Sequence, residues 1–448
     1  MSDTHILQRE NPEAWHRVLR ERASSFGPVP LPRRLRVAVL INLFQRAEAG
    51  GHVKCWERFA EVAGAFADRI DLTLHFLGDA DERHDIAGNV RFKLWQPTFC
   101  TARLPFLSVV PDHTDIAPFH PRLARDLLDQ DVIHTTDALF AFANTARRTA
   151  AKTGAALVHS MHTDTPRYAR HFTARVIEGL CGHSGVGHFL IDRLRLPARV
   201  QGYMQHALER HQRQAAFTLV SSAADRERVE AVVGKATLGH LGRGIDFQRF
   251  DPVRADRAWI EQRFGVPRER FLVSFAGRLN RGKNVGLFVR ALDREWMAAH
   301  NVHCLFAGEG EDRVALARHF GIYATCPGTL AQSELAAVYA SSDAFAFPSM
   351  VEISSNVVRE ALASGTCVLA ASESGADRDV MDGITGRHLS GSDPPAWRQA
   401  LEELADQPSR AAAMGLAART WAKRHLRSWQ DVLREDLIPV WQRAAQGR

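Results

Sequence analysis

Glu352 and Glu360 stand eight positions apart in SMVEISSNVVREALASG (349–365), with Ser354, Ser355 and Asn356 between them. Val357, Val358, Ala361 and Leu362 recur with helical spacing and Gly365 is a helix stop, so the pattern predicts a helix from about Ser355 to Ser364, capped by Ser354 or Ser355. Asn356 and Glu360 then stack one turn apart on one flank, and Glu352 falls in the loop before the helix. A helix start rich in backbone N–H groups and short hydroxyls suits a phosphate, and a carboxylate one turn inside suits a diol. A nucleotide sugar offers both: its diphosphate to the helix start, its ribose to Glu360 and its hexose to Glu352. Capping serines and exposed glutamates are also common surface features, so the stretch alone carries both readings.

A second stretch, AGRLNRGKN (276–284), places Arg278 and Lys283 after an apolar run, where two cations could clamp a diphosphate leaving group. In isolation they read as solvated surface charge. At an equivalent loop of the same domain they complete an anion site. His162, in SMHTDTPRYAR (160–170), follows another apolar run. It is either a functional histidine or one that satisfies strand-end backbone.

The elements that must position these residues alternate along the whole chain. Short apolar runs rich in β-branched and aromatic residues occur at 36–43, 72–78, 132–137, 156–162 and 217–222, and again at 271–277, 302–308, 322–328, 344–349 and 366–371, with helical patterns between them. This is the pattern of parallel sheets covered by helices. At 448 residues the chain is too long for one ordinary core. GRGIDFQRFDPVRAD (242–256) reads as a linker between the two series. The expected class is therefore α/β, with two doubly wound, Rossmann-like domains facing each other across a cleft. The expected limits are an N-terminal extension over 1–34, an acceptor domain over 35–245, a donor domain over 246–424, and a terminal helix over 425–448 that crosses back to the first domain.

Together these residues resemble the retaining glycosyltransferases of family 4, which have the GT-B fold. The resemblance rests on Gly277, Arg278 and Lys283, on the E-x7-E pair Glu352 and Glu360, and on SNVVREALASG, supported by LFAGEGED, YASSDAFAFPS and GADRDVMDGITGRHL. It extends over about residues 35–440. AGGHVKCWERFAEVA (49–63) looks like the family's glycine loop, with Gly50 and Gly51, and SMHTDTPRYAR looks like the HT-x-x-P-x-Y element of members that act on lipid or envelope acceptors. The resemblance implies catalytic roles for Arg278, Lys283, Glu352 and His162. It implies donor contacts from Glu360, Gly277, Ser354, Ser355, Asn356, Val357, Gly50, Gly51, Thr329 and Leu330, with the base near CPGTL (326–330). It further implies a terminal helix that couples closure to donor binding. Two features depart from the family: Ser355 replaces the usual glycine or proline before the helix, and roughly 33 residues with no assignable role precede the first strand.

Other classes are disfavoured. No apolar run reaches the roughly 20 residues that a membrane helix needs, and the N-terminus is too polar for a signal-peptide core, so the mature chain is expected to begin there. Six scattered cysteines without a CxxC pair fit reduced thiols rather than a zinc site. DAD (79–81), in the charged loop GDADERHD, and DQD (129–131) read as solvated loop charge rather than metal ligands. GEGEDR (308–313) puts Arg313 where a dinucleotide fingerprint needs its third glycine. The net charge of +6 is concentrated in residues 151–250, where 14 Lys+Arg oppose 8 Asp+Glu. A basic stretch favours an anionic partner, such as a membrane surface, although arginine is abundant throughout.

The reading is a metal-independent, retaining hexosyltransferase. It would take a UDP or GDP sugar as donor substrate, need no cofactor or metal, and use a glycan or anionic lipid-linked acceptor in envelope or polysaccharide synthesis. The expected setting is the cytoplasm, with peripheral contact at the inner face of the membrane and no nucleic acid. A sugar-nucleotide epimerase of the same fold and a catalytically silent sugar-nucleotide-binding subunit are the alternatives.

Overall fold

A computed structural model describes residues 33–46, 49–107, 113–182, 184–350, 356–375 and 379–447. The chain forms two compact units, one made of residues 33–243 with 429–447 and the other of residues 244–428.

In the first unit the leading strand, β1 (Leu35–Phe44), shows why the apolar runs are continuous rather than alternating. Val37, Val39 and Ile41 enter one core, while Ala38 and Leu40 enter another on the opposite face. A strand covered on both faces needs apolar residues at every position. On one face lies the helix α1 (Gly51–Ala63), which contributes Trp56 and Phe59. The end of the chain joins the same core through Trp429, Leu433, Leu437 and Trp441. The sheet also contains β2 (Ile70–Leu77), β3 (Glu82–Ala87), β4 (Val90–Trp95), β5 (Val132–Thr135), β6 (Ala156–Ser160), β7 (Phe217–Val220) and β8 (Leu238–His240), in the order β3-β4-β2-β1-β5-β6-β7-β8.

The pair β3 and β4 corrects the sequence reading of a charged loop at 78–85. Its residues from Glu82 onward form an antiparallel edge strand against β4, whose own residues alternate between buried and half-buried. Charged side chains along an edge discourage pairing with another chain, and that camouflages the strand in sequence. Of the two acidic segments, DAD keeps exposed charges in ion pairs and DQD has Asp129 exposed but Asp131 buried. Asp79 pairs with Arg46 at 2.9 Å and Asp81 with Arg122. Asp131 is not solvated at all: it is 4% exposed, pairs with Arg33 at 2.6 Å and accepts the Arg36 N–H at 2.9 Å.

The second unit begins with β9 (Gly244–Ile245), which pairs in parallel with β16 (Arg427–Ser428). Its main sheet holds β10 (Phe271–Ala276), β11 (Val302–Ala307), β12 (Ala324–Gly328), β13 (Ala344–Phe347), β14 (Cys367–Ala371) and β15 (Gly386–Leu389). All pairs are parallel and the order is β12-β11-β10-β13-β14-β15. Counted from β10 this is the Rossmann order, which reverses direction between β10 and β13. At that switch point consecutive loops leave toward opposite faces and open a crevice at the strand ends.

The loops leaving β10 and β11 run backbone against backbone. Leu279 donates to the Glu309 carbonyl at 2.8 Å and Gly277 to the Ala307 carbonyl at 3.0 Å. Gly308, at φ 145°, leaves so little room that an added Cβ would lie 1.9 Å from the Gly277 carbonyl oxygen. GEG is thus a packing device beside the Arg278 loop.

Gly308→Ala is expected to destabilise the protein by about 2–3 kcal/mol, combining a forbidden φ with a backbone clash. Gly51→Ala, where an added Cβ meets nothing within 4 Å, is the control and should change little. Thermal denaturation of both variants measures the difference, and equal melting temperatures would contradict the packing argument.

Candidate functional site

The crevice of the second unit is built from loops after β10 and β13. Gly277, at φ 145°, turns the chain out of β10, Arg278 is exposed, and Asn280 caps the following turn by accepting the Lys283 N–H at 3.1 Å. Asn284 fixes that turn to its neighbours. In the left-handed region at φ 55°, its side-chain amide donates to the Pro348 carbonyl at 3.1 Å and the Gly391 carbonyl at 2.9 Å. Pro348 directly follows β13, so this clamp holds the Lys283 turn against the end of β13. The Lys283 ammonium lies 5.7 Å from the centre of the Phe347 ring, a cation–π contact that keeps the charge at the crevice.

The helix after β13, α4 (Asn356–Ala363), occupies the interval that the apolar spacing predicts. Gly365, at φ 77°, ends it with paired bonds, Thr366 N–H to the Ala361 carbonyl and Gly365 N–H to the Leu362 carbonyl, both 3.1 Å. Glu360 is half-buried and takes the Tyr339 hydroxyl at 3.5 Å. Burial, and then the Glu360 charge, hold the Tyr339 phenol well above its ordinary pKa, so it stays a hydrogen-bond donor. On the other flank Arg359 pairs with buried Asp379 at 2.5 Å, which fixes the rotation of α4. The Asn356 side-chain carbonyl and the Ser349 hydroxyl are buried without a hydrogen-bond partner among the described residues. Val357 packs against the core as a half-buried residue. Glu352, Ser354 and Ser355 lie outside the described residues.

The CPGTL segment is narrower as a candidate than the sequence implies. Arg313 donates twice to the Cys326 carbonyl, at 2.9 and 3.2 Å, and the Gly328 carbonyl accepts from Gly308 at 2.8 Å. Those backbone groups are occupied, which leaves exposed Thr329 and half-buried Leu330 as the reachable part.

The first unit has its own polar centre where β1, β5 and β6 end, and its sheet order reverses between β1 and β5. Gly50 is the N-cap of α1, and Gly51 begins the helix with open space around it. One residue further, the His52 ring stacks on His162, with centroids 4.3 Å apart and an interplanar angle of 7°. The glycine loop and the HT element, far apart in sequence, therefore meet. His162 takes the Trp56 indole N–H at Nε2 (3.3 Å) and lies 3.2 Å from an Arg243 amino group at Nδ1. Ser160 approaches Nε2 at 3.0 Å and also bonds His134, whose other nitrogen accepts the Trp441 indole at 2.9 Å. Burial first, and then His52 and Arg243, push the His162 pKa well below its ordinary value, so the ring is held neutral with a single N–H, for which Ser160 Oγ is the available acceptor among these partners.

Beside it opens a pocket lined in part by Thr136, Asp137, His159, His162, Thr163 and Leu208. One oxygen of Asp137 caps the turn after β5, accepting from Leu139 and Phe140 at 3.1 Å. The other oxygen, and His159 Nε2, are buried with no partner among the described residues. Burial pushes the Asp137 carboxyl up. Sequence reasoning missed Asp137, His52, Trp56, Arg243, Asn284 and Tyr339. Asp137 could have been suspected as an acidic residue ending an apolar strand, but Arg243 reads as linker until the fold turns it toward His162. Among the described residues, His300, Glu402 and Asp406 lie close enough to hold a metal ion, but His300 meets each carboxylate through a different nitrogen, Asp406 at 2.9 Å and Glu402 at 4.0 Å. The imidazole thus lies between the two carboxylates.

Comparisons with known proteins bear on both units. The family described as "Glycosyl transferases group 1" matches residues 256–421. A GDP-mannose-dependent alpha-(1-6)-phosphatidylinositol monomannoside mannosyltransferase of Mycolicibacterium smegmatis is 32% identical over 237 residues, covering 50% of this chain and 61% of that protein. A D-inositol 3-phosphate glycosyltransferase of Streptomyces avermitilis is 32% identical over 289 residues, covering 60% and 57% respectively. The chain thus spans about three-fifths of the length of these relatives. Among solved structures, a sucrose-phosphate synthase from Thermosynechococcus elongatus superposes with a TM-score of 0.64 at 17% identity, covering 89% of this chain and 96% of that one. HepE of Anabaena in complex with UDP-glucose gives 0.61 at 16% identity, covering 92% and 99%. The fold is GT-B, with two Rossmann-like domains.

Burial holds His52 and His75 down to about 3 and His159 to about 4, and lowers His134, His162 and His211 as well. Below the unfolded value near 6.5 the unfolded chain binds protons that the native protein refuses, so stability is complete above that pH and falls as pH drops toward 4. Each such histidine contributes about 1.4 kcal/mol per pH unit within the window. The melting temperature should be lower at pH 5.5 than at pH 7.5, with net proton uptake on unfolding measurable by calorimetry in buffers of different ionisation enthalpy. A flat profile would show that the histidines are not held neutral.

Proposed function

We propose that this chain is a metal-independent, retaining glycosyltransferase that transfers a hexose from a nucleoside-diphosphate sugar to an acceptor held by its first unit. The observation that carries the reading is the convergence at the switch point of the second unit. The Asn284 clamp sets Lys283 against the end of β13, beside Arg278 and the helix that bears Glu360. The family match covers this same region, and the relatives named above are glycosyltransferases.

The barrier in such a transfer is the separation of an anionic diphosphate from an oxocarbenium-like sugar. Arg278 and Lys283, with the start of α4, would stabilise the leaving group as its charge develops, most strongly where water is excluded. Glu360, oriented by Tyr339, would accept the ribose hydroxyls, and Glu352 would orient the sugar. Thr329 and Leu330 are the candidate contacts for the base. The sequence assigns no carboxylate the role of covalent nucleophile, and front-face attack assisted by the leaving diphosphate is the route proposed.

In the first unit the proposed acceptor subsite is centred on the small pocket beside His162, which as it stands has room for about one water and must open to admit an acceptor. Asp137 and His159 present buried polar atoms without partners, which suits a ligand rich in hydroxyl groups. His162, fixed by Trp56, Arg243 and Ser160, would order this wall rather than exchange protons, because burial holds the ring neutral and both its nitrogens are already engaged. The setting proposed is the cytoplasmic face of an envelope. No helix among the described residues is long and apolar enough to cross a membrane.

The donor is identified by a thermal-shift screen of UDP, GDP and ADP sugars, since a ligand that binds only the native state raises its stability. With the matched donor, transfer should persist in EDTA. Loss of activity restored only by magnesium or manganese would overturn the metal-independent mechanism.

Glu360→Ala should weaken binding of the sugar-free nucleotide by roughly 10- to 100-fold, the effect of losing a charged hydrogen-bond acceptor worth about 1.5–3 kcal/mol. Glu352→Ala should leave that affinity nearly unchanged while reducing transfer. Titration calorimetry with the nucleoside diphosphate separates the two roles, and equal affinities in wild type and both variants would refute the division.

A further inference from the structure

We propose that a two-helix arm of the first unit docks on the anionic surface of a lipid bilayer. The arm consists of α2 (Thr165–Cys181) and α3 (Leu196–Gln214), which pack on each other and are joined through two short helical segments, Gly185–His188 and Phe189–Arg193. The inference deepens the transferase reading by naming the surface on which a lipid-linked acceptor would be met.

The arm buries far less than the helix that covers the sheet beside β1. The 13 residues of α1 bury six side chains, whereas the 17 of α2 bury only Pro166 and Ile177, and the 19 of α3 only Pro197, Leu208, His211 and Gln212. Apolar side chains are left in solvent as a result. Among the described residues 15 large apolar side chains are exposed, and five of them (Tyr168, Leu180, Val186, Phe189 and Tyr203) lie within 165–214. Three of the five, Leu180, Val186 and Phe189, cluster in sequence at the tip where the helices are joined.

Charge is concentrated on the same arm. Residues 165–214 hold eight arginines, no lysine and three acidic residues, a net +5 out of the chain's +6. On α3, Arg199, Tyr203, His206, Arg210 and Arg213 are all exposed at spacings of four, three, four and three, so they form one stripe about 21 Å long. The acidic residues offset it little: Glu209 is paired with Arg213 at 3.4 Å and Asp192 with His188 at 3.5 Å.

A stripe of arginines matches a plane of negative charge, and a narrow apolar tip matches a medium it can enter without a complementary surface. A nucleic acid would engage the arginines but give Leu180, Val186 and Phe189 nothing to bury against. A protein partner would need a broad matched face, which a tip of two helical segments of four and five residues does not offer.

The test is co-sedimentation of the full chain with vesicles of phosphatidylcholine alone and of phosphatidylcholine mixed with phosphatidylglycerol, at low and high salt, without any nucleotide sugar. Wild type should pellet with the mixed vesicles at low salt at least tenfold more than with the neutral ones. Arg175→Gln, Arg199→Gln and Arg210→Gln combined should lower that binding at least fivefold. Leu180→Ser, Val186→Ser and Phe189→Ser combined should lower it as well, with the melting temperature confirming that each variant is folded. A second readout needs no loss of side chains: a polarity-sensitive dye on Phe189→Cys should shift to the blue with the mixed vesicles only. Equal, weak pelleting of wild type with both vesicle types overturns the proposal. Strong pelleting that the tip variant leaves untouched, with no dye shift, overturns it in favour of a general polyanion site. Because no donor is present, failure here leaves the transferase reading to its own calorimetric test.

Discussion

Parallel pairing between β10 and β13 is the constraint on which the second unit depends. Their ladder aligns Val273 with Ala344 and Ser274 with Phe345, so both strands end at the same level and release their loops side by side. The ladder cannot hold the loops themselves, because a chain that has left a sheet still has backbone groups to satisfy. Two devices do so. Gly277 and Gly308 let adjacent loops touch backbone to backbone, and Asn284 spends its side-chain amide on two carbonyls of neighbouring loops. Lys283 is held against Phe347 as a consequence, and Arg278 emerges on the open side.

A different principle orders the first unit. Its polar centre is an array of histidines, tryptophans and short hydroxyls fixed by donors that cannot change role. An indole N–H only donates, so Trp441 fixes His134 as the donor to Ser160, and Ser160 and Trp56 both bear on Nε2 of His162. Water is largely excluded, which keeps the rings neutral and makes the array rigid. Among the described residues, polar atoms of Asp137 and His159 at its edge lack partners, as does His52 Nε2 within it, and the pocket opens beside the first two.

The arm joining α2 and α3 shows what remains when a helical pattern has no core to face. Its residues have the spacing of ordinary amphipathic helices, yet few are fully buried, and every arginine of the two helices stays in solvent with Tyr168, Leu180 and Tyr203. Composition located the charge, but only the packing of the two helices on each other fixed which side chains remain outside.

The sequence by itself determined the class of fold and the strand-end segments. Runs covered on both faces must be apolar throughout, as β1, β10 and β11 are, and the spacing of Val357, Val358, Ala361 and Leu362 with Gly365 admits only a short helix ending where α4 ends. The same patterns located Arg278 and Lys283 in the loop after β10 and Glu360 within the helix. The tertiary structure decided what depends on proximity between distant segments. The edge strand β3 was hidden because its exposed residues carry no alternation, and Asp131 read as solvent charge because Arg33 and Arg36 reach it only through the sheet. The meeting of His52 with His162, the reach of Arg243 out of an apparent linker, and the clamp made by Asn284 likewise follow from the order in which strands lie, which no local pattern encodes.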